Sequence, residues 1–263
     1  MFRARATLEL GARLLVREMT RCAAIFGATG LVGRACLDLL LDDERYGRVV
    51  AIGRRAPARM HVKLVVHHAV LDSVEAIHDP MVGSVDDVFC CLGTTIRKAG
   101  SQEAFLRVDR DYVLNAAVFA KRRGARHFLM VTAVGADARS RVFYTRVKGE
   151  AEEAVAKVGI DCVSIFRPSL ILGPRDESRL RERVAKLVAT SLSFAMVGPL
   201  SKYRPIEAAT IARAMLVAAA APTLGVTVYE FDWMVGSGGM PGGTSGSGRL
   251  GGPGTGSVGL AAH

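Results

Sequence analysis

The chain has 263 residues, half of them hydrophobic, and carries 35 Lys and Arg against 25 Asp and Glu, a formal charge of +10. That composition excludes a disordered chain and allows one large α/β core, or one core with a small appended lobe. The charge is mostly Arg, with no dense Lys/Arg tract interleaved with aromatics, so it favours anionic ligands and not nucleic acid, and no apolar stretch approaches the roughly 18 residues of an integral membrane segment.

In chain order, residues 1–21 are Arg-rich, poor in acids and helical in pattern. They resemble an organellar presequence in composition; the plainer reading is an upstream extension or a surface helix. Next comes a short apolar run, Cys22-Ala23-Ala24-Ile25-Phe26, which predicts a buried strand. It is followed by Gly27-Ala28-Thr29-Gly30-Leu31-Val32-Gly33, and then by helical spacing of apolar residues over 31–42. Strand, tight glycine turn and helix are what a dinucleotide pyrophosphate needs. Glycines let the backbone approach the phosphates, and the helix start offers unpaired N–H groups.

Further apolar runs at 48–53, 62–70, 86–92, 126–134 and 161–172 alternate with helical patterns, clearest at 101–123 and 142–158. This alternation predicts a Rossmann-type, doubly wound parallel sheet with helices on both faces. Residues 226–231 supply another candidate strand. The segment of about 177–219 breaks the alternation and is expected to form a small C-terminal, substrate-side lobe. The Rossmann domain with that lobe then spans 22–234. Residues 235–263 hold 12 of the 28 glycines and are expected to be disordered.

The type of dinucleotide is read at the end of the second strand, about 20 residues past the glycines, where an acid favours NAD and an Arg favours NADP. The sequence there is Ala51-Ile52-Gly53-Arg54-Arg55, with no carboxylate and two guanidiniums suited to bidentate phosphate contact. NADP(H) is therefore expected ahead of NAD(H). Asp72, after the third run, is a candidate for the adenine end.

Tyr144 and Lys148 stand one helical turn apart on one face. A phenol with a pKa of about 10 is a poor base at neutral pH, and a nearby ammonium favours its ionised form. Other groups carry less. His67-His68 lies in a strand pattern, so the rings point to opposite faces. His127 reads as structural, and Asp86-Asp87 as a solvated strand cap. Arg175, Asp176 and Arg179 could meet an anionic substrate, although a helix start is the default. The five cysteines form no CxxC pair, so no metal site is expected, and free thiols in a reducing cytosol suggest a cytoplasmic protein.

Taken together, Gly27–Gly33, Cys91-Leu92-Gly93-Thr94-Thr95, Val108-Asp109-Arg110-Asp111-Tyr112-Val113, Gly135-Ala136-Asp137, Tyr144 with Lys148, and Phe166-Arg167-Pro168 resemble an atypical short-chain dehydrogenase/reductase. The resemblance is to the Tat-interacting-protein type of NADPH-binding oxidoreductase and covers about residues 22–220. It implies that Gly27, Thr29, Gly30, Leu31, Val32 and Gly33 line the pyrophosphate. It also implies that Leu92, Gly93 and Thr94 border a ribose, that Pro168 lies beside the nicotinamide, and that Tyr144 moves a proton with Lys148 as its partner and ribose ligand. Relatives of this type tend to have two serines where this chain has Thr132 and Ala133. Thr132 retains a hydroxyl that could polarise a carbonyl; Ala133 does not.

The leading expectation is an NADPH-dependent oxidoreductase acting on a small carbonyl or alcohol. The alternative is an NADPH-binding regulatory or scaffold protein with a protein partner and little catalysis. A sugar-nucleotide epimerase fits less well, because the lobe is short for a nucleotide sugar.

Overall fold

In the computed structural model, which describes residues 20–77, 82–173 and 203–238, the apolar runs become strands of one sheet. The elements are β1 (Arg21–Phe26), α1 (Leu31–Asp42), β2 (Tyr46–Gly53), β3 (Leu64–His68), α2 (Val74–Ile77), β4 (Asp87–Cys90), α3 (Ile96–Ala99) and α4 (Gln102–Leu106). A turn of π-helix (Arg107–Asp111) leads into α5 (Tyr112–Arg122), β5 (His127–Val131), α6 (Phe143–Ala156), β6 (Cys162–Phe166) and β7 (Ile171–Leu172). After residue 203 come β8 (Ile206–Glu207), α7 (Ala208–Ala220), β9 (Gly225–Tyr229) and α8 (Phe231–Gly238).

Seven strands form a sheet in the order β3-β2-β1-β4-β5-β6-β9, and every neighbouring pair is parallel. This is the expected Rossmann arrangement, with the direction of winding reversing between β1 and β4. Strands β4, β5 and β6 are buried along their whole length, because a parallel sheet carries helices on both faces. On one face α1 and α7 cover Ile25, Val49, Phe89 and Leu129. On the other, α5 and α6 cover Phe26, Val50, Val88 and Met130.

Three boundaries differ in detail from the pattern. The run at 161–172 divides into β6 and β7, the latter pairing with β8 in a separate two-stranded sheet. Helix α7 lies inside the span assigned to the lobe, yet its Ile211, Ala212 and Met215 are wholly buried in the core shared with α1. Residues 231–238 are helical, so ordered structure continues past 234. The expectations for residues 1–19, for 174–202 and for 239–263 fall outside the described residues.

The reading of Asp86-Asp87 as solvated holds for Asp86, which is exposed, and is corrected for Asp87. Asp87 is fully buried, with Arg21 at 2.6 Å and the Tyr46 hydroxyl donating to it at 2.8 Å. Asp86 accepts from the Cys22 amide at 2.7 Å. Strand β1 begins with an arginine whose long side chain reaches across to β4, a contact that local sequence does not reveal. His127 is structural, its Nε2 2.8 Å from Ser164 Oγ inside the sheet.

Candidate functional site

Register brings the turns that follow the strands to one edge of the sheet. Phe26 is opposite Cys90, Cys90 opposite Met130, and Val131 opposite Phe166. The segments that follow, beginning at Gly27, Cys91, Thr132 and Arg167, therefore emerge side by side at the carboxyl ends of the strands. That is where ligands bind in open α/β sheets.

The glycines are fixed by space as well as conformation. Gly27 has φ +79°, and a Cβ there would lie 2.6 Å from the Cys91 carbonyl oxygen. At Gly33 a Cβ would fall 2.0 Å from the Gly27 oxygen. The Gly30 amide closes the turn by donating to the Gly27 carbonyl at 2.9 Å. Helix α1 has no side-chain cap and no acid in its first turn. Its leading N–H groups are thus free to receive an anion.

Beside this turn lies a cleft of ≈ 410 Å³, lined among others by Thr29, Arg34, Asp38, Arg55, Pro57 and Arg59. Arg34 Nε donates to the Thr29 carbonyl at 2.9 Å. Arg59 is paired with Asp38 at 3.1 Å and Asp42 at 2.8 Å. Arg55 reaches the cleft, whereas Arg54 is not among its lining residues. Arg54 instead acts on Tyr112, whose hydroxyl donates to Asp72 Oδ1 at 2.7 Å. Burial and the Asp72 carboxylate raise the pKa of that phenol, against the pull of Arg107 and Arg54.

Helix α6 presents Tyr144 and Lys148. Gly149 allows its close approach to the loop after β5, since a Cβ there would lie 2.1 Å from the Ala138 nitrogen. The Lys148 side chain is only 6% exposed, and its Nζ is 2.7 Å from Asp109 Oδ1. Burial alone would lower the ammonium's pKa; Asp109, with Tyr144 and Cys90, more than offsets it and raises the pKa. Asp109 Oδ2 accepts from the Thr94 amide at 2.9 Å. A Cβ at Gly93 would sit 3.6 Å from Lys148 Nζ, so lysine, aspartate and the segment after β4 meet at one point. The Tyr144 ring is half-buried and packs against Phe105 with centroids 5.5 Å apart.

Thr132, expected to polarise a carbonyl, is turned toward Glu152 of α6. Its hydroxyl is buried and donates to Glu152 Oε1 at 2.6 Å, and Arg167 pairs with the same carboxylate. The threonine is thereby committed to holding α6 against β6. Ala133 is buried and brings no hydroxyl, while buried Pro168 accepts from the Val134 amide at 2.8 Å through its carbonyl. Arg175, Asp176 and Arg179 lie outside the described residues. Sequence reasoning gave no role to Asp109, Arg34, Arg59 or Glu152. Arg34 could have been found, because it directly follows the last glycine of the turn; Asp109 depends on a π turn that no spacing announces.

Comparison with known proteins agrees with this geometry. The profile of a family described as NAD(P)H-binding matches residues 27–199. Protein HTATIP2 of Rattus norvegicus is 38% identical over 198 residues, covering 73% of this chain and 78% of the relative. Protein fmp52, mitochondrial, of Emericella nidulans is 35% identical over 174 residues, covering 64% of this chain and 75% of the relative. Among solved structures, the Bordetella bronchiseptica enzyme WbmH in complex with NAD+ superposes with a TM-score of 0.60 at 16% identity, covering 80% of this chain and 76% of that one. The expectation of a cytoplasmic protein is overturned, since several fungal relatives are named mitochondrial. Free thiols report a reducing environment and not a particular compartment.

Proposed function

The chain belongs to the NAD(P)H-binding family of Rossmann proteins related to the short-chain dehydrogenases, and we propose that it is an NADP(H)-dependent oxidoreductase acting on a carbonyl or alcohol. The uncapped start of α1 and the arginine-lined cleft fit a dinucleotide with a 2′-phosphate. Gly27, Thr29, Gly30, Leu31, Val32 and Gly33 would hold the pyrophosphate, with Arg34 and Arg55 on the 2′-phosphate. Asp72 would lie toward the adenine, Leu92, Gly93, Thr94 and Lys148 along a ribose, and Pro168 at the nicotinamide. The bound cofactor would supply or accept hydride.

The observation that carries the reading is Lys148, buried beside Gly93 and one helical turn from Tyr144. Tyr144 would hold the proton that goes to the substrate oxygen, and Lys148 would orient the ribose and stabilise charge on the phenol as that proton moves. Replacing Tyr144 by Phe tests this. NADPH affinity should stay close to wild type while turnover of a responsive carbonyl falls about 10²- to 10⁴-fold. Unchanged turnover overturns the assignment.

A second reading is favoured by one observation. With the Thr132 hydroxyl committed to Glu152 and Ala133 beside it, residues 132–134 offer no free side-chain donor to a carbonyl oxygen. An NADPH-binding regulatory protein would show tight binding and no oxidation of NADPH across a broad carbonyl panel.

A further inference from the structure

The Asp109–Lys148 pair is out of water on both sides: the carboxylate is fully buried and the lysine side chain 6% exposed. Burying two charges is costly, and such pairs persist where they fix a geometry or carry a function. The backbone is bent to make this one. The π turn inserts an extra residue between α4 and α5, a device frequent at functional sites. It turns Asp109 inward while Arg107 stays exposed. Three elements bring titratable groups to Lys148: Asp109 from the π turn, Cys90 from β4, and Tyr144 from its own helix. The Cys90 thiol is pushed up to about 12 by burial and is uncharged. Asp109 is the sole carboxylate among these three, and its other oxygen is fastened to the Thr94 amide.

We propose that Asp109 is a positioning residue that keeps Lys148 charged and fixed beside Gly93, and so determines how cofactor binding and turnover respond to pH. This rests on the reading that Lys148 faces the cofactor. With Asp109 present, burial of the ammonium is answered by an adjacent negative charge. Without it, burial acts almost alone, and a fully buried lysine can lose as much as 3–5 pK units. The charged form would then persist only at lower pH, and whatever depends on it would be lost as pH rises through the new value.

Asp109→Asn tests the idea, because the amide keeps an acceptor for the Thr94 N–H and removes only the charge. Wild-type affinity for NADPH, followed by fluorescence titration, should be flat across neutral and mildly alkaline pH. In Asp109→Asn it should fall by up to about tenfold per pH unit above the lowered value. Nuclear magnetic resonance of isotope-labelled lysines, with Lys148→Met supplying the assignment, should show the Lys148 amine losing its proton at lower pH in the variant. If Asp109→Asn does not fold, Asp109→Asn/Lys148→Met should fold again, since it removes the orphaned charge. A folded Asp109→Asn whose Lys148 titrates as in wild type overturns the proposal, as does failure of the double variant to restore folding. Absence of turnover in wild type would sink the oxidoreductase reading instead, and the lysine titration would still decide the role of Asp109.

Discussion

A guanidinium recognises a phosphate monoester through paired N–H donors, and the cleft beside Thr29 gathers three of them, from Arg34, Arg55 and Arg59. They are not equivalent. Arg59 already answers two carboxylates, Asp38 and Asp42, and Arg34 is oriented by the Thr29 carbonyl, so Arg34 and Arg55 should carry the choice of cofactor. Changing either to Ala is expected to weaken NADPH binding roughly 10- to 150-fold, the loss of a charged hydrogen bond of about 1.5–3 kcal/mol. NADH binding should change little, and Arg54→Ala should leave both unchanged. Calorimetric titration of the two dinucleotides checks this; equal weakening of both would remove the arginines from the 2′-phosphate. At this scale the sequence was readable where chemistry is local. The glycine turn and Arg55 take their meaning from adjacent residues. Asp109 and Thr132 do not: one is swung inward by a π turn, the other is claimed by a glutamate 20 residues along the chain.

Between elements, the N-terminal ends of β1, β2, β4 and β5 and the middle of β6 are tied by Arg21, Tyr46, Asp87, His127 and Ser164. Burial pushes the Asp87 carboxyl up to about 6, although Arg21 and Tyr46 pull it down. It lowers His127 from 6.5 to about 4, with Arg21 acting in the same direction. Asp87 lies 3.9 Å from the ring, but its charge is already answered by Arg21, so burial prevails at the histidine. The two groups act on stability with opposite signs. Asp87, raised above its unfolded value, contributes stability that is present near pH 4 and lost as pH rises through about 6. His127, depressed, contributes stability present above 6.5 and lost as pH falls through about 4. Wild type should therefore show a muted pH dependence across that interval. In Asp87→Asn, urea denaturation should reveal stability rising with pH up to about 6.5, by at most about 1.4 kcal/mol per unit. His127→Asn should show the opposite slope. Parallel profiles in all three proteins would mean that the cluster does not titrate with folding. Strand and helix alternation foretold where these elements run, because buried parallel strands write their burial as apolar runs. It could not foretell that the second Asp of a pair at a strand start would be drawn inside by an arginine on the neighbouring strand while the first stays exposed.

For the molecule as a whole, winding outward from β1 and β4 collects every turn of the site on one edge, so a dinucleotide lying there would touch segments following β1, β2 and β4 together with α6. Those segments are adjacent only in the native state, and a ligand bound there stabilises folding by mass action. At a hundred times its dissociation constant NADPH should add about 2.7 kcal/mol. That corresponds to a rise in Tm of about 5–10 °C at the 2–4 °C per kcal/mol typical of domains this large. NADH at the same concentration should give a smaller rise, and the gap should close when Arg34 and Arg55 are both changed to Ala. Tyr144→Phe should keep the full NADPH shift, since the role proposed for the phenol is to move a proton and not to hold a phosphate. A Tyr144→Phe protein with wild-type thermal shift and no turnover is what an enzyme predicts. One with wild-type shift beside a wild type that never turns over is what a cofactor-gated binding protein predicts. Equal shifts with both dinucleotides would return the cofactor to NAD(P)H without preference, because a glycine turn can serve either one and the proposed preference rests on the arginine wall alone.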